Sequence, residues 1–224
     1  MSGPVGEPGP VRTGARAAEG AAPGVRDGRT RRRYERRDAI YRAAIELFVK
    51  LGYEETMMEA IAERAQTSRA TVFNHFGRKI AFLEEWTARR RADAWEAARQ
   101  GQCAGDGVAG FLRRYVAQIA ERSETDREET VALFGAALRS INVLDNLALG
   151  SALGGIVEDA QRRGEVRAEV DATQAGVLLS AGYLAVLTQW IGREPGEFDL
   201  AGELRKVLDM FLHGILTPDA AAED

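Results

Sequence analysis

Between Gly24 and Glu194 the sequence contains no proline, and the segment is rich in Ala, Leu, Glu and Arg. These residues lose little on entering a helix, and an unbroken run of backbone donors lets helices continue wherever the apolar pattern supports them. Alternating β-branched residues are absent and no repeat of fixed period is present, so the chain is expected to be all-α. Four of the six prolines, Pro4, Pro8, Pro10 and Pro23, sit among Gly, Ala and Arg at the start. That composition buries too little apolar surface to offset ordering entropy, and residues 1–30 are expected to form a disordered arm, with a second disordered tail at 219–224.

The first helix is expected from about Arg33 to Leu51. Ile40, Ala44, Phe48 and Leu51 form its apolar stripe, and Gly52 follows where a left-handed cap would stand. Thr56-Met57-Met58-Glu59 reads as a capping box opening a short second helix, with Ile61 and Ala65 inward and Glu63 and Arg64 outward. Gln66 and Thr67 make a turn, Ser68 caps a third helix over Arg69–Phe76, and Gly77 precedes a longer fourth helix starting at Lys79. Further helices are expected at 79–99, 108–122, 127–142, 145–163, 172–191 (capped by Asp171) and 199–216 (capped by Asp199).

Length and composition exclude several classes. The chain has 224 residues, 45% of them hydrophobic, enough for a core without staples, and its one cysteine, Cys103, cannot form an internal disulfide. No run of about 18 uncharged apolar residues is evident to cross a bilayer, so no membrane partner is expected and the location is expected to be cytoplasmic, nucleoid-associated when bound to DNA. Net charge is −4, but residues 1–99 hold 19 basic and 14 acidic side chains against 11 and 20 in residues 100–224. The front half can approach phosphate and the back half repels it. No phosphate loop, nucleophile-base set or metal-ligand cluster is present; His213 lacks a partner at ligand spacing, and no enzyme activity, cofactor or metal is expected.

The most specific signal runs from 38 to 83: Asp38-Ala39-Ile40, Ala44 to Phe48, Gly52-Tyr53, Thr56, Ile61-Ala62, Ala65, Ser68, Phe73-Asn74-His75-Phe76-Gly77-Arg78-Lys79 and Leu83. In order and spacing this stretch, about a fifth of the chain, resembles the helix-turn-helix domain of the TetR family of transcriptional regulators. The resemblance implies a three-helix DNA-binding domain at 31–78 and a helical ligand-binding and dimerisation domain at 79–218.

Independently of the resemblance, a recognition helix must bring its backbone close to the major groove, so Ala70 and Thr71 suit its exposed face and Arg69 supplies reach to guanine or phosphate. Val72 and Phe76 should face inward. The resemblance implies that Phe73 and Asn74 stand where many members carry phosphate-bonding tyrosines, that His75 is the family's histidine and that Lys79 binds the DNA backbone. Phe73 has no hydroxyl and is left a thymine methyl as partner. Gln66 replaces a common turn glycine, which implies strain if its φ is positive. Arg29-Thr30-Arg31-Arg32-Arg33, with Arg36 and Arg37, reads either as a solvated charge run or as a basic arm reaching phosphate and the minor groove; its place beside the motif favours the arm. Expected DNA-binding residues are therefore Arg33, Thr56, Ser68, Arg69, Ala70, Thr71, Phe73, Asn74, His75 and Lys79 on double-stranded operator DNA.

The middle helices offer Trp86, Trp95, Phe111, Tyr115, Phe134, Leu138, Asn142 and Asn146 as lining for a small apolar or aromatic effector, in the region where the resemblance implies a ligand cavity. Gly135, Gly150, Gly154 and Gly155 fit either a cavity or close helix contacts. Residues 172–191 and 199–216 carry more apolar surface than one buried face needs and are expected to pair across a homodimer as a four-helix bundle. An effector would then release the repressor from its operator by changing the spacing of its recognition helices through the fourth helix. The alternative is a dimeric activator or global regulator without an effector.

Overall fold

The computed structural model describes residues 24–101, 106–140 and 147–213. Among them nine helices and no strand are found: α1 Gly24–Leu51, α2 Met58–Arg64, α3 Arg69–His75, α4 Ile80–Gln100, α5 Gly107–Thr125, α6 Arg127–Ser140, α7 Leu147–Arg162, α8 Ala172–Ile191 and α9 Leu200–His213. Cys103, Asn142, Asn146 and the 219–224 tail lie outside the described residues.

The chain divides into two compact units, one up to Arg37 and one from Asp38 onward. In the first, the described residues are helical from Gly24, so Gly24–Thr30 do not belong to a disordered arm, and Arg29–Arg37 do not form an extended one. No proline follows Pro23 to break the helix, and the Arg31–Glu35 pair, 3.4 Å apart at i,i+4, adds a few tenths of a kcal/mol to it, roughly.

In the second unit, Ile40, Ala44 and Phe48 on α1, Ile61 on α2, Val72 on α3 and Phe76 just after it close one apolar core. Leu51, the last residue of the expected stripe, is half exposed at the helix end. Gly52 takes φ 91° and donates to the Phe48 carbonyl, the left-handed stop expected of it. This core does not end at residue 78: Phe76 stacks on Phe82 of α4 at 4.0 Å, Phe82 meets Phe48 edge-on at 5.9 Å, and the cluster continues through Trp86, Leu133, Phe134, Leu187 and Trp190. The α1–α3 segment and the following helices thus share one interior.

Beyond it, α7 runs along α8, α4 along α5, and α9 against α5 and α8. The α7–α8 contact is backbone on backbone. A Cβ on Gly176 would lie 2.1 Å from the Gly150 carbonyl oxygen and 2.5 Å from the Gly154 nitrogen, and a Cβ on Gly154 would lie 2.9 Å from the Ala172 carbonyl oxygen. Close contact, not a void, therefore explains Gly154, whereas Gly155 has open space around it.

Asp171 caps α8 by accepting from the Gln174 N–H at 3.0 Å, and Asp199 caps α9 by accepting from Gly202 at 2.9 Å, as the sequence suggested. α8 is by length and composition apolar enough to cross a membrane, which corrects the expectation that no such segment exists; Thr173, Gln174, Ser180, Thr188 and Gln189 hide it from a search for continuous apolar runs. Here it packs on α7 and α9, with Val177 beside α7 at the cavity and Leu178 left 64% exposed.

Candidate nucleic-acid interface and internal cavity

Two glycine-like stops frame the short helices. α2 ends in a Schellman turn: Gln66 donates to Glu63, Thr67 donates to Ala62, and Gln66 takes φ 50°. The strain expected from a non-glycine at this position is therefore present. Ser68 then begins α3, its Oγ accepting the Thr71 N–H at 3.1 Å and lying 2.8 Å from the Thr71 hydroxyl. These contacts fix the entry of α3 while buried Val72 and Phe76 fix its rotation.

The opposite face presents Arg69, Ala70, Phe73 and Asn74 to solvent, with Thr71 and His75 half-buried beside them. Phe73 is 38% exposed, a large apolar ring left out of the core. The Arg69 guanidinium lies 5.3 Å from its centre and 2.9 Å from Glu59 on α2. Exposed pairs of this kind are worth about 0.2–1 kcal/mol, less than the roughly 1–3 kcal/mol of a bidentate guanine contact, so Arg69 can leave Glu59 for a base.

Two of the residues expected at DNA are engaged within the fold. Thr56 is buried, 1% exposed; its hydroxyl donates to the Gly52 carbonyl at 2.8 Å, and the residue at the start of α2 is Met57, which makes no side-chain cap. The capping box fails because that hydroxyl turns back onto the end of α1. Lys79 does not point its ammonium outward either. Nζ donates to the carbonyls of Tyr53, Glu54 and Thr56 at 2.8, 3.1 and 3.3 Å and sits 4.5 Å over the Tyr53 ring, tying the α1–α2 connection to the start of α4. Arg33, in the N-terminal unit, is exposed on its helix.

A cavity of about 100 Å³, open at its mouth, lies between α4, α5, α6, α7 and α8. Its apolar wall is Trp86, Ile119, Phe134, Ala137, Leu149, Leu184 and Leu187; its polar wall is Arg90, Arg91, Arg122, Ser123, Thr130, Ser180 and Tyr183. Trp86 and Phe134 were expected there. Trp95, Phe111, Tyr115 and Leu138 are not. The first three pack on each other, Trp95 edge-on to Phe111 at 4.9 Å and Phe111 stacked on Tyr115 at 6.3 Å, in a second core of α4, α5, α7, α8 and α9. Leu138 packs on the core that α1–α4 share. Helical period placed these aromatics correctly on their helices but could not say which of two interiors they face.

The arginines were missed, although Arg89-Arg90-Arg91 stand one turn after Trp86. They divide between two tasks. Arg89 turns to α1, donating to Asp38 Oδ1 at 2.6 Å and lying 3.9 Å over the Tyr41 ring. Arg90 turns to the cavity, 4.9 Å from the Trp86 ring, and burial holds its guanidinium below its ordinary range. Trp86 donates its indole N–H to Glu129 at 2.7 Å. Burial likewise drives the Tyr183 phenol well above its usual value, so it stays protonated in the cavity wall.

Comparison with known proteins agrees with this architecture. The family model for bacterial regulatory proteins of the tetR family matches residues 40–86, from Ile40 on α1 to Trp86 on α4. FadR of Thermus thermophilus, a TetR family transcriptional repressor solved in complex with lauroyl-CoA, is 30% identical, with a TM-score of 0.68 over 84% of this chain and 99% of that one. This chain belongs to the TetR family. The transcriptional repressor KstR of Rhodococcus jostii is 26% identical over 80% of this chain and 83% of its own length. The regulator TcmR of Streptomyces glaucescens is 44% identical over 57 residues, a quarter of this chain and 24% of its own. As a TetR-family member the chain is a DNA-binding transcriptional repressor and not an enzyme.

Proposed function

We propose that this protein is a cytoplasmic homodimer that reads a two-fold symmetric operator with α3 and leaves it when a small, largely apolar molecule fills the cavity. The observation that carries the reading is the exposed face of α3, where Arg69, Ala70, Phe73 and Asn74 project from a helix fixed by Ser68 and by buried Val72 and Phe76. Such a face fits the major groove, and a second copy would occupy the next groove one helical turn away. Exposed Val177, Leu178 and Met210 on α8 and α9 support pairing of these helices across the two-fold axis. The arginine-rich stretch Arg29–Arg37 adds salt-dependent attraction to phosphate.

Effector control is supported by the cavity and by its coupling to the DNA-binding helices. Arg89 and Arg90 are neighbours on α4, one gripping Asp38 and Tyr41 on α1 and the other at the cavity. A ligand that shifts α4 therefore pulls on α1, and Phe82 carries the same shift to Phe76 at the end of α3. The lauroyl-CoA held by the similar repressor of Thermus thermophilus supports an acyl-bearing compound as the kind of body the cavity accepts.

Selection from random duplex DNA with the full chain, followed by sedimentation of the complex, tests this reading. The expected result is an inverted repeat with half-sites centred about one turn apart, bound by two chains. Absence of any enriched site, or a single chain per site, contradicts it.

A further inference from the structure

We infer that Arg90 forms an anion subsite at the wall of the cavity, so that the effector carries a carboxylate or phosphate beside its apolar body. The inference rests on the reading of this cavity as a ligand site. The Arg90 side chain is only 15% exposed, yet neither terminal nitrogen makes a hydrogen bond to protein. Its nearest carboxylates, Asp126 and Glu129, stand 3.6 and 3.7 Å from Nη1, beyond hydrogen-bond reach. Glu129 is taken by the Trp86 indole at 2.7 Å, and Asp126 Oδ2, 2.7 Å from Arg122 Nε, is itself buried without a hydrogen bond.

A buried guanidinium with unmet donors is costly, and such groups are otherwise satisfied or paired. Burial acts in the same direction, disfavouring the charge that two loosely placed carboxylates only partly offset. Among the described residues the cavity wall contains three arginines, Arg90, Arg91 and Arg122, and no carboxylate. An anionic oxygen entering here would meet the planar donor fork that suits carboxylate and phosphate. Phe134, Leu149 and Leu187 then line the space for an attached apolar chain.

The test is calorimetric titration of the full-length protein with three probes sharing one chain: decanoate, decyl phosphate and 1-decanol. At least one anion is expected to bind about ten-fold or more tightly than the alcohol, the gain of one charge-assisted hydrogen bond. Arg90→Met is expected to erase that difference while leaving alcohol affinity unchanged, and Arg90→Lys to retain part of it. Preference between carboxylate and phosphate identifies which anion the subsite takes. Equal binding of anions and alcohol by the wild type overturns the subsite but leaves the cavity as a ligand site. Equal loss of all three probes in Arg90→Met makes Arg90 a packing residue and also overturns it. No binding of any probe overturns the cavity reading and the subsite together.

Discussion

The exposed face of α3 proposed to read DNA comes almost entirely from one short stretch, Ser68 to Asn74, whereas the cavity wall is gathered from five helices between Trp86 and Leu187. In the first, neighbours in sequence are neighbours in space, and a helix of two turns has only one face to offer. In the second, what a residue does depends on how helices pack, and Trp86 and Trp95 on the same helix enter different interiors. Local geometry fixes the exposed face of α3; packing fixes the cavity.

Substitutions at glycines break the cavity region hardest. Gly176→Ala must push α8 off α7, because its Cβ would lie 2.1 Å from a carbonyl oxygen that cannot rotate away, and a loss of about 3 kcal/mol is expected in urea unfolding. Gly155→Ala, with nothing within 4 Å, should gain about 0.5–1 kcal/mol instead. If both behave alike, the α7–α8 contact is not the backbone-tight one described.

Arg69 and Lys79 separate reading from holding. Arg69→Ala should cost about 1–3 kcal/mol of operator affinity with little change in melting temperature. Lys79→Ala should do the reverse, lowering stability by about 1–2 kcal/mol through three lost carbonyl bonds, which chemical denaturation will measure. A stable Lys79→Ala protein with impaired operator binding would return that residue to the DNA interface.

Tyr115 tests whether the Trp95–Phe111–Tyr115 layer is closed core. Burial pushes its phenol from 10.0 up to about 12. The folded state therefore keeps the proton after the unfolded chain loses it. Stability contributed by Tyr115 is full below pH 10 and declines between about pH 10 and 12, with a slope near 1.4 kcal/mol per pH unit. Tyr41, Tyr53 and Tyr183 are raised in the same direction, so the wild-type decline combines all four tyrosines, and Tyr115→Phe should make it shallower. An unchanged slope would mean that water reaches the phenol.

The smallest effect is at the turn. Gln66→Gly removes a left-handed non-glycine and should stabilise the protein by up to about 1 kcal/mol in thermal unfolding, without altering operator affinity. A loss of operator binding would show that the glutamine side chain itself serves the interface.

The helices and the face of α3 were legible in the sequence because apolar period, Ser68, Asp171 and Asp199 act over a few residues. Thr56 and Lys79 were misread for a shared reason: both side chains bond backbone carbonyls near the end of α1, and no local pattern records such a contact. At the cavity, aromatic content suggested the lining and overlooked Arg90, Arg91 and Arg122. Charged residues on a helix usually face solvent, and only the convergence of α4, α5 and α8 buries Arg90 among them.

The central claim is that the exposed face of α3 enters the major groove, and methylation protection of the selected operator tests it most directly because dimethyl sulfate attacks guanine N7 there. Wild-type protein is expected to protect guanines in both half-sites, and Arg69→Ala to expose at least one symmetry-related pair while still binding. Protection identical in the two proteins, or confined to the minor groove, would contradict it.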